Sequence, residues 1–218
     1  MAELVPSIIA KDFSDFEQKC SFLRGRVASA HLDVVDGKFA PNVSWGDPRA
    51  LREFDAGIAI EAHLMIANPQ QCIADWVQAR VQRIFYHYES TAAHEAIITA
   101  CKQGNVEVGI ALLPETSENV VDVLKEYAGR IDAVLLLGVN PGFYGSPFHE
   151  HVMENISALR KNYQNLTIEV DGGMNPQRAR QAIDAGANDI VSGSYIFESD
   201  DPKRAIEEMK RAISELSS

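Results

Sequence analysis

The chain has 218 residues, of which 46% are hydrophobic and 23% are charged, a composition typical of a globular protein with a sizeable core. Its formal net charge is −11, and no Lys/Arg run supplies the basic face of a nucleic-acid-binding protein. No signal peptide and no run of about 18 apolar residues is present. We therefore expect a cytoplasmic protein that binds neither nucleic acid nor a membrane.

Apolar, β-rich segments alternate along the chain with segments of helical periodicity. Strands are predicted at 4–9, 29–35, 59–66, 83–88, 106–112, 133–139, 167–170 and 189–192. Helices are predicted at 13–23, 47–54, 69–79, 92–103, 117–127, 148–163, 176–185 and 202–216. Several strands are continuously apolar, which suits parallel strands that are buried on both faces.

Eight such strand–helix units predict an α/β fold, a (β/α)8 TIM barrel that forms one domain over residues 1–218. A doubly wound open sheet is the alternative, and it normally binds its ligand at a switch point with fewer strand ends. Here candidate polar residues follow six of the eight predicted strands. That distribution favours a closed ring whose strand ends converge.

Two histidines and two aspartates lie in or at the end of these strands. His31 and Asp33 are two residues apart in one strand, so both side chains share a face. His63 lies in the next strand, and Asp171 ends the seventh. Each alone also suits a structural ion pair or a satisfied core histidine. Together they predict one site, because proteins rarely bury two Asp and two His without a purpose.

This donor set predicts a site for one divalent transition ion. A metal that binds a ketone oxygen and a neighbouring hydroxyl would stabilise the enediolate that forms when the carbon next to the ketone loses its proton. Asp33 and Asp171 would be both ligands and the acid/base pair. One carboxylate removes the proton from one face, and the other returns a proton to the opposite face, which inverts the carbon.

Three glycine turns follow the last three predicted strands, at Asn140–Gly145, Gly172–Gly173 and Gly193–Ser194. Any one of them alone is ordinary turn chemistry. Three such turns on adjacent loops predict a phosphate site built from backbone N–H groups, which is common in these barrels.

The chain resembles the ribulose-phosphate 3-epimerase family over nearly its whole length. The resemblance lies in six strings: residues 6–8 (PSI), 31–42 (HLDVVDGKFAPN), 63–65 (HLM), 140–143 (NPGF), 169–173 (EVDGG) and 191–194 (VSGS). It implies a metal-dependent isomerase that interconverts D-ribulose 5-phosphate and D-xylulose 5-phosphate in the pentose phosphate pathway. It also implies zinc, iron, manganese or cobalt as the metal, and a homo-oligomer, either a dimer or a hexamer.

The resemblance assigns roles to particular residues. His31, Asp33, His63 and Asp171 would bind the metal, and Asp33 and Asp171 would be catalytic. The residues expected to contact the substrate, including its phosphate, are Ser7, His63, Met65, Gly142, Phe143, Tyr144, Gly145, Gly172, Gly173, Gly193 and Ser194.

Some positions depart from the family pattern. Tyr144 stands in the glycine loop where the family usually has a second glycine, and Val35 and Leu137 stand where methionines are frequent. These changes leave the ligands intact but bear on the substrate. A hexulose phosphate such as D-allulose 6-phosphate is therefore the alternative to the pentulose phosphate.

Enzymes of other classes are less consistent with the sequence. A Schiff-base aldolase needs a lysine in a barrel strand, and the predicted strands contain none. An orotidine-phosphate type decarboxylase would show an Asp-x-Lys-x-x-Asp string, which is absent. A non-catalytic phosphosugar-binding barrel remains an alternative, but it would not need two carboxylates beside two histidines.

Overall fold

The computed structural model describes residues 2–141 and 147–214. Within these residues the strands are β1 (Glu3–Ile8), β2 (Ser29–Val35), β3 (Ala59–Met65), β4 (Arg83–His87), β5 (Glu107–Leu112), β6 (Ala133–Leu137), β7 (Thr167–Asp171) and β8 (Asp189–Ser192). They hydrogen-bond in sequence order, and the sheet closes into a barrel. The predicted (β/α)8 TIM barrel is confirmed.

The helices in the described part of the chain are α1 (Phe13–Leu23), α2 (Pro48–Glu53), α3 (Ile73–Val77), α4 (His94–Gln103), α5 (Pro114–Ser117), α6 (Val120–Leu124), α7 (Val152–Asn162), α8 (Pro176–Ala185), α9 (Ser194–Phe197) and α10 (Pro202–Ser214). Side-chain caps fix several of their starts. The Asn175 side chain accepts a hydrogen bond from the backbone N–H of Arg178, and Asp201 accepts one from Arg204. A proline follows each cap, as expected at the first helical position.

Two of the predicted helices are divided. The segment predicted at 69–79 contains a 3-10 turn (Pro69–Gln71) and then α3, because Cys72 at φ −119° and ψ −1° interrupts the helix. The segment predicted at 117–127 contains the end of α5 and all of α6. Asn119 separates them with φ −118° and ψ 36°. Asn commonly leaves helical geometry because its side chain competes for backbone hydrogen bonds.

The chain forms two compact units by its backbone contacts, residues 7–111 and residues 2–6 with 112–214. In the first unit, six consecutive residues of β2 and six of β3 are buried. Beside α1, the rings of Phe13, Phe16, Trp45 and Phe54 pack with centroids 5.1–5.7 Å apart. In the second unit, α8 packs against α7 and α10. That a single domain covers residues 1–218 stays a prediction.

Across residues 2–141 and 147–214, no helix has the length and apolar character needed to cross a bilayer.

Candidate metal centre

The parallel register of β2 and β3 sets two pairs of polar residues side by side. His31 is the register partner of Glu61, and Asp33 is the partner of His63. Each strand therefore carries two polar side chains at a spacing of two residues, which is the spacing of one strand face. All four residues are buried.

Asp33 lies between the two histidines. Its Oδ1 atom is 2.8 Å from Nδ1 of His63 and 3.5 Å from Nε2 of His31. Both imidazoles are fully buried, and only 3% of Asp33 is exposed. The two rings thus present different nitrogens, Nε2 of His31 and Nδ1 of His63, to the same carboxylate.

Burial and neighbouring charges shift the pKa values of Asp33 and His63 in opposite directions. Burial alone would raise the pKa of Asp33, but hydrogen bonds and charges from His31 and His63 outweigh it, and the pKa lies well below its ordinary value. Burial lowers the pKa of His63 to about 4, although the hydrogen bond and charge of Asp33 oppose it. A carboxylate beside a neutral imidazole is the protonation state that a metal ligand needs.

The ligand atoms of His31, Asp33, His63 and Asp171 all lie within 4.8 Å of one another. Asp171 is the last residue of β7 and is half-buried. Two nitrogens and two carboxylate oxygens within that distance fit a divalent first-row ion. The structure therefore brings together all four residues that the sequence predicts as ligands.

A second group of charged residues lies behind His31. Nδ1 of His31 is 2.6 Å from Oε1 of Glu61, and Oε2 of Glu61 is 3.4 Å from Nη1 of Arg83. Arg83 in turn pairs with Glu107 at 2.8 Å. Glu169 also belongs to a group of close ligand-type atoms with His31 and Glu61.

Sequence reasoning assigned no role to Glu61, Arg83, Glu107 or Glu169. A signal was present, because Glu61 and Glu169 stand two residues before His63 and Asp171 in their strands. This is the same spacing that singled out His31 and Asp33, and it places each glutamate on the face of its strand that carries the predicted ligand.

His87 lies next to His63 on the other side. The Nε2 atoms of the two rings are 2.9 Å apart, and Nδ1 of His87 is 3.4 Å from Oε2 of Glu89. The ring of Phe39 packs on His87 with the centroids 4.5 Å apart. The imidazole of His87 is fully buried.

Two predicted substrate contacts lie in the same unit. Ser7 is buried in β1 and is the register partner of His31. Met65 ends β3 and packs in a small apolar cluster with Val35, Ala40 and Phe39.

The predicted phosphate loops are described in part. Gly172 and Gly173 follow β7 with φ of 97° and 66°, backbone geometry that favours glycine. The backbone N–H of Gly172 donates to Oδ1 of Asp171 at 2.7 Å. Gly193 and Ser194 follow β8 and begin the short helix α9. The predicted contacts at Gly142, Phe143, Tyr144 and Gly145 lie outside the described residues.

A closed (β/α)8 barrel with two buried histidines and two carboxylates at one candidate metal centre defines a TIM-barrel enzyme. Comparison with known families is more specific. Residues 3–197 match the model of the ribulose-phosphate 3 epimerase family. The chain belongs to this family of isomerases.

Relatives agree with this family assignment, and solved structures agree with the fold. Ribulose-phosphate 3-epimerase of Treponema pallidum is 38% identical over 202 residues, which cover 89% of this chain and 90% of that protein. The Bacillus subtilis enzyme of the same name is 33% identical over 218 residues, with coverages of 96% and 99%. The crystal structure of KGPDC from Streptococcus mutans matches with a TM-score of 0.75 and 14% identity, covering 100% of both chains. That likeness shows the fold alone.

Proposed function

We propose that this enzyme epimerises a ketose phosphate at C3 and interconverts D-ribulose 5-phosphate and D-xylulose 5-phosphate. Family membership and the names of the relatives support this activity. The observation that carries the proposal is the gathering of ligand atoms from His31, Asp33, His63 and Asp171 within 4.8 Å. Two of these residues are carboxylates, as a two-sided proton transfer requires.

In this proposal Nε2 of His31, Nδ1 of His63 and one oxygen of each aspartate hold a single divalent ion, either zinc, iron, manganese or cobalt. Such an ion supplies positive charge that stabilises negative charge developing on the substrate oxygens. The two imidazoles fit this role because one is held by Glu61 at 2.6 Å and the other is kept neutral by burial.

Asp33 and Asp171 are the proposed acid/base pair. Each carboxylate has two oxygens, so one can bind the ion while the other accepts or returns a proton. The pKa of Asp33 lies below its ordinary value, so that this residue is ionised at neutral pH and able to accept a proton. The second aspartate then protonates the opposite face of the same carbon.

The substrate phosphate is proposed to bind at the glycine turns. Gly172, Gly173, Gly193 and Ser194 would offer backbone N–H groups, together with the loop that contains Gly142, Phe143, Tyr144 and Gly145. With a net charge of −11, backbone dipoles are a suitable local source of positive potential for an anion. Ser7, His63 and Met65 are the proposed contacts to the rest of the sugar.

A cytoplasmic location and a homo-oligomer, either a dimer or a hexamer, are also proposed. A rice relative bears the name of a cytoplasmic isoform. Val43 and Ile9 are large apolar residues with exposures of 77% and 46%, which suits a surface covered by another subunit. Light scattering on the purified protein measures the assembly directly.

Solvent exchange at C3 tests the proposed reaction. The metal-loaded protein in D₂O is given D-ribulose 5-phosphate or D-allulose 6-phosphate, and NMR follows deuterium at C3 together with the appearance of the epimer. The proposal predicts exchange with epimerisation of the pentulose, and its loss after the metal is removed by a chelator. Faster reaction of the hexulose would move the substrate to the six-carbon class. Exchange of neither sugar by a protein that binds metal would contradict the proposed activity.

A further inference from the structure

The segment that follows β2, residues 36–44, packs an aromatic ring against the ends of three neighbouring strands. Val35, Met65 and His87 are the last residues of β2, β3 and β4. The ring of Phe39 packs against the cluster that contains Val35 and Met65, and its centroid lies 4.5 Å from that of the His87 imidazole. Enzymes with this barrel bind their substrates at the carboxyl ends of the strands. Phe39, which is half-buried, therefore forms an apolar wall beside the candidate metal centre.

The carboxylate of Asp36 holds this segment through three backbone N–H groups. Its Oδ1 atom accepts hydrogen bonds from Lys38 at 2.8 Å and from Phe39 at 2.9 Å. Its Oδ2 atom accepts one from Ala67 at 3.0 Å, two residues beyond the end of β3. Gly37 has a φ of 73°, a conformation that glycine adopts without strain and that turns the chain sharply. One side chain thus fixes the backbone at Phe39 and joins it to the end of the next strand.

These hydrogen bonds are made to a charged group. Burial would raise the pKa of Asp36, but hydrogen bonds from the N–H groups of Phe39, Lys38 and Ala67 outweigh it, and the pKa lies below its ordinary value. Hydrogen bonds to an ionised acceptor are roughly twice as strong as those between neutral groups. Removal of this carboxylate would therefore weaken three strong contacts at once.

The other end of the segment is anchored independently of Asp36. The hydroxyl of Ser44 donates to the backbone carbonyl of Asp33 at 2.7 Å and accepts from the backbone N–H of Val35 at 2.9 Å. These contacts fix the end of β2, which carries a candidate metal ligand. A change at Asp36 should therefore release the middle of the segment and leave the candidate ligands in place.

We propose that Asp36 is a positioning residue that fixes Phe39 as an apolar wall of the sugar site, and that Phe39 determines how tightly the ketose chain is held. The inference rests on the proposed function, because the substrate of that reaction is the molecule that meets the wall. It gives a role to two residues that neither bind the metal nor transfer a proton. The apparent affinity for a ligand falls in proportion to the fraction of protein in which the binding conformation is formed.

Amide hydrogen exchange, followed by NMR on the purified full-length protein, measures the Asp36 contacts without substrate. Asp36→Ala removes all three, and the amides of Phe39 and Ala67 should exchange roughly 10–100-fold faster. Asp36→Asn keeps the size of the side chain and one acceptor oxygen, so it should restore the protection of Phe39 but not that of Ala67. Unchanged exchange of both amides in Asp36→Ala would overturn the proposal.

Asp55→Ala is the matched control for these variants. Asp55 also accepts a hydrogen bond from the N–H two residues further on, that of Gly57, at 2.9 Å. It lies in the connection before β3, whereas Asp36 follows the carboxyl end of β2. Asp55→Ala should leave the exchange of Phe39 and Ala67, and the kinetics, as in the wild type.

Steady-state kinetics with D-ribulose 5-phosphate test the wall itself. Asp36→Ala and Phe39→Ala should each raise KM about tenfold and lower kcat much less. Affinity for Co²⁺, measured against a chelator, should stay unchanged in both. Because Asp36 acts through Phe39, KM in the double variant should rise no further than in Phe39→Ala. Increases in KM that multiply in the double variant would refute this coupling, and Asp36→Asn should have a KM between those of the wild type and Asp36→Ala.

The outcomes separate this inference from the proposed reaction. A wild-type KM in a folded Phe39→Ala protein would refute the wall, even if the enzyme epimerises its substrate. A wild-type protein that binds D-ribulose 5-phosphate without epimerising it would contradict the reaction, and the wall would still predict a dissociation constant about tenfold higher in both single variants. A metal-loaded wild-type protein that neither binds nor converts this sugar would refute both.

Discussion

Nδ1 of His31 lies 2.6 Å from Oε1 of Glu61, its register partner on the neighbouring strand. An imidazole that donates one N–H to a buried carboxylate has its other nitrogen fixed in direction and made more basic. In His31 that other nitrogen is Nε2, which faces Asp33 at 3.5 Å. The carboxylate is itself held by Arg83 at 3.4 Å.

Glu61→Gln should therefore weaken metal binding. An amide is a poorer acceptor than a carboxylate, and we expect a dissociation constant about 10–100-fold higher. Chelator competition with Co²⁺ measures it. Glu107→Gln is the matched control, because Glu107 touches the other side of Arg83 and is half-buried; it should cause a much smaller change. Equal losses of metal affinity in both variants would mean that the linked ion pairs of Glu61, Arg83 and Glu107 support the site together, rather than the His31–Glu61 contact alone.

The sequence was sufficient to predict the barrel and the four residues of the candidate centre. Period-two spacing placed His31 and Asp33 on one face, and the bounds predicted for β2 and β8 match the structure. Spacing within one strand does not, however, give the register between strands. The contact of His31 with Glu61 depends on that register, and so Glu61 received no role.

Backbone interruptions were also missed. Hydrophobic periodicity runs through residues 69–79 and 117–127, but single residues such as Cys72 and Asn119 leave helical geometry. Periodicity reports which side chains face the core, and it is insensitive to one non-helical residue between two short turns. The contact between His63 and His87 likewise depends on a distance of 2.9 Å that no sequence pattern encodes.

Replacement of Asp33 or Asp171 by asparagine should abolish most of the epimerase activity. The loss expected for one acid/base group is about 10²–10⁴-fold in kcat, and loss of a ligand charge adds to it. Asp33→Asn and Asp171→Asn should each spare C3 exchange in only one of the two epimers, because one face keeps its base. NMR in D₂O measures both epimers, at metal contents matched by elemental analysis.

The control for these variants is Asp75→Asn. Asp75 is a half-exposed surface residue 4.0 Å from Arg49, an ion pair of little energetic value. It should retain full activity. If Asp33→Asn and Asp171→Asn bound metal normally and still epimerised at the wild-type rate, the two-carboxylate mechanism would be wrong.

The stability of the metal-free protein should fall as the pH is lowered below about 6.5. Burial lowers the pKa of His63 from 6.5 to about 4 in the folded protein. Between these values the unfolded chain takes up a proton that the folded chain does not, so unfolding is favoured. The contribution of His63 is fully present above pH 6.5 and is lost towards pH 4. Asp33, whose pKa is also lowered, acts in the same direction at still lower pH.

Urea unfolding of chelator-treated protein between about pH 7 and pH 4.5 measures this dependence. His63→Gln removes the titrating ring and should flatten the slope of unfolding free energy against pH in that interval. A variant with the wild-type slope would show that His63 is not the group responsible.

Gly172 should tolerate no side chain. Its φ is 97°, and an added Cβ would lie 2.7 Å from Cγ2 of Val139 and 3.0 Å from the Val139 backbone N. Strain and overlap together predict that Gly172→Ala lowers the free energy of unfolding by roughly 2–5 kcal/mol. Because Gly172 N–H donates to Oδ1 of Asp171 at 2.7 Å, we also expect weaker metal binding.

Urea titration measures the free energy of unfolding of this variant. The same measurement at two other glycines separates backbone strain from steric overlap. Gly25 has φ 71° with nothing within 4 Å of an added Cβ, so Gly25→Ala should cost only about 1–2 kcal/mol. Gly129 has equal space and no positive φ, and Gly129→Ala should be neutral or stabilising by about 0.4–1 kcal/mol. If Gly172→Ala cost no more than Gly25→Ala, the turn after β7 would have to move away from Val139 without penalty, and metal affinity would then report whether Asp171 moves with it.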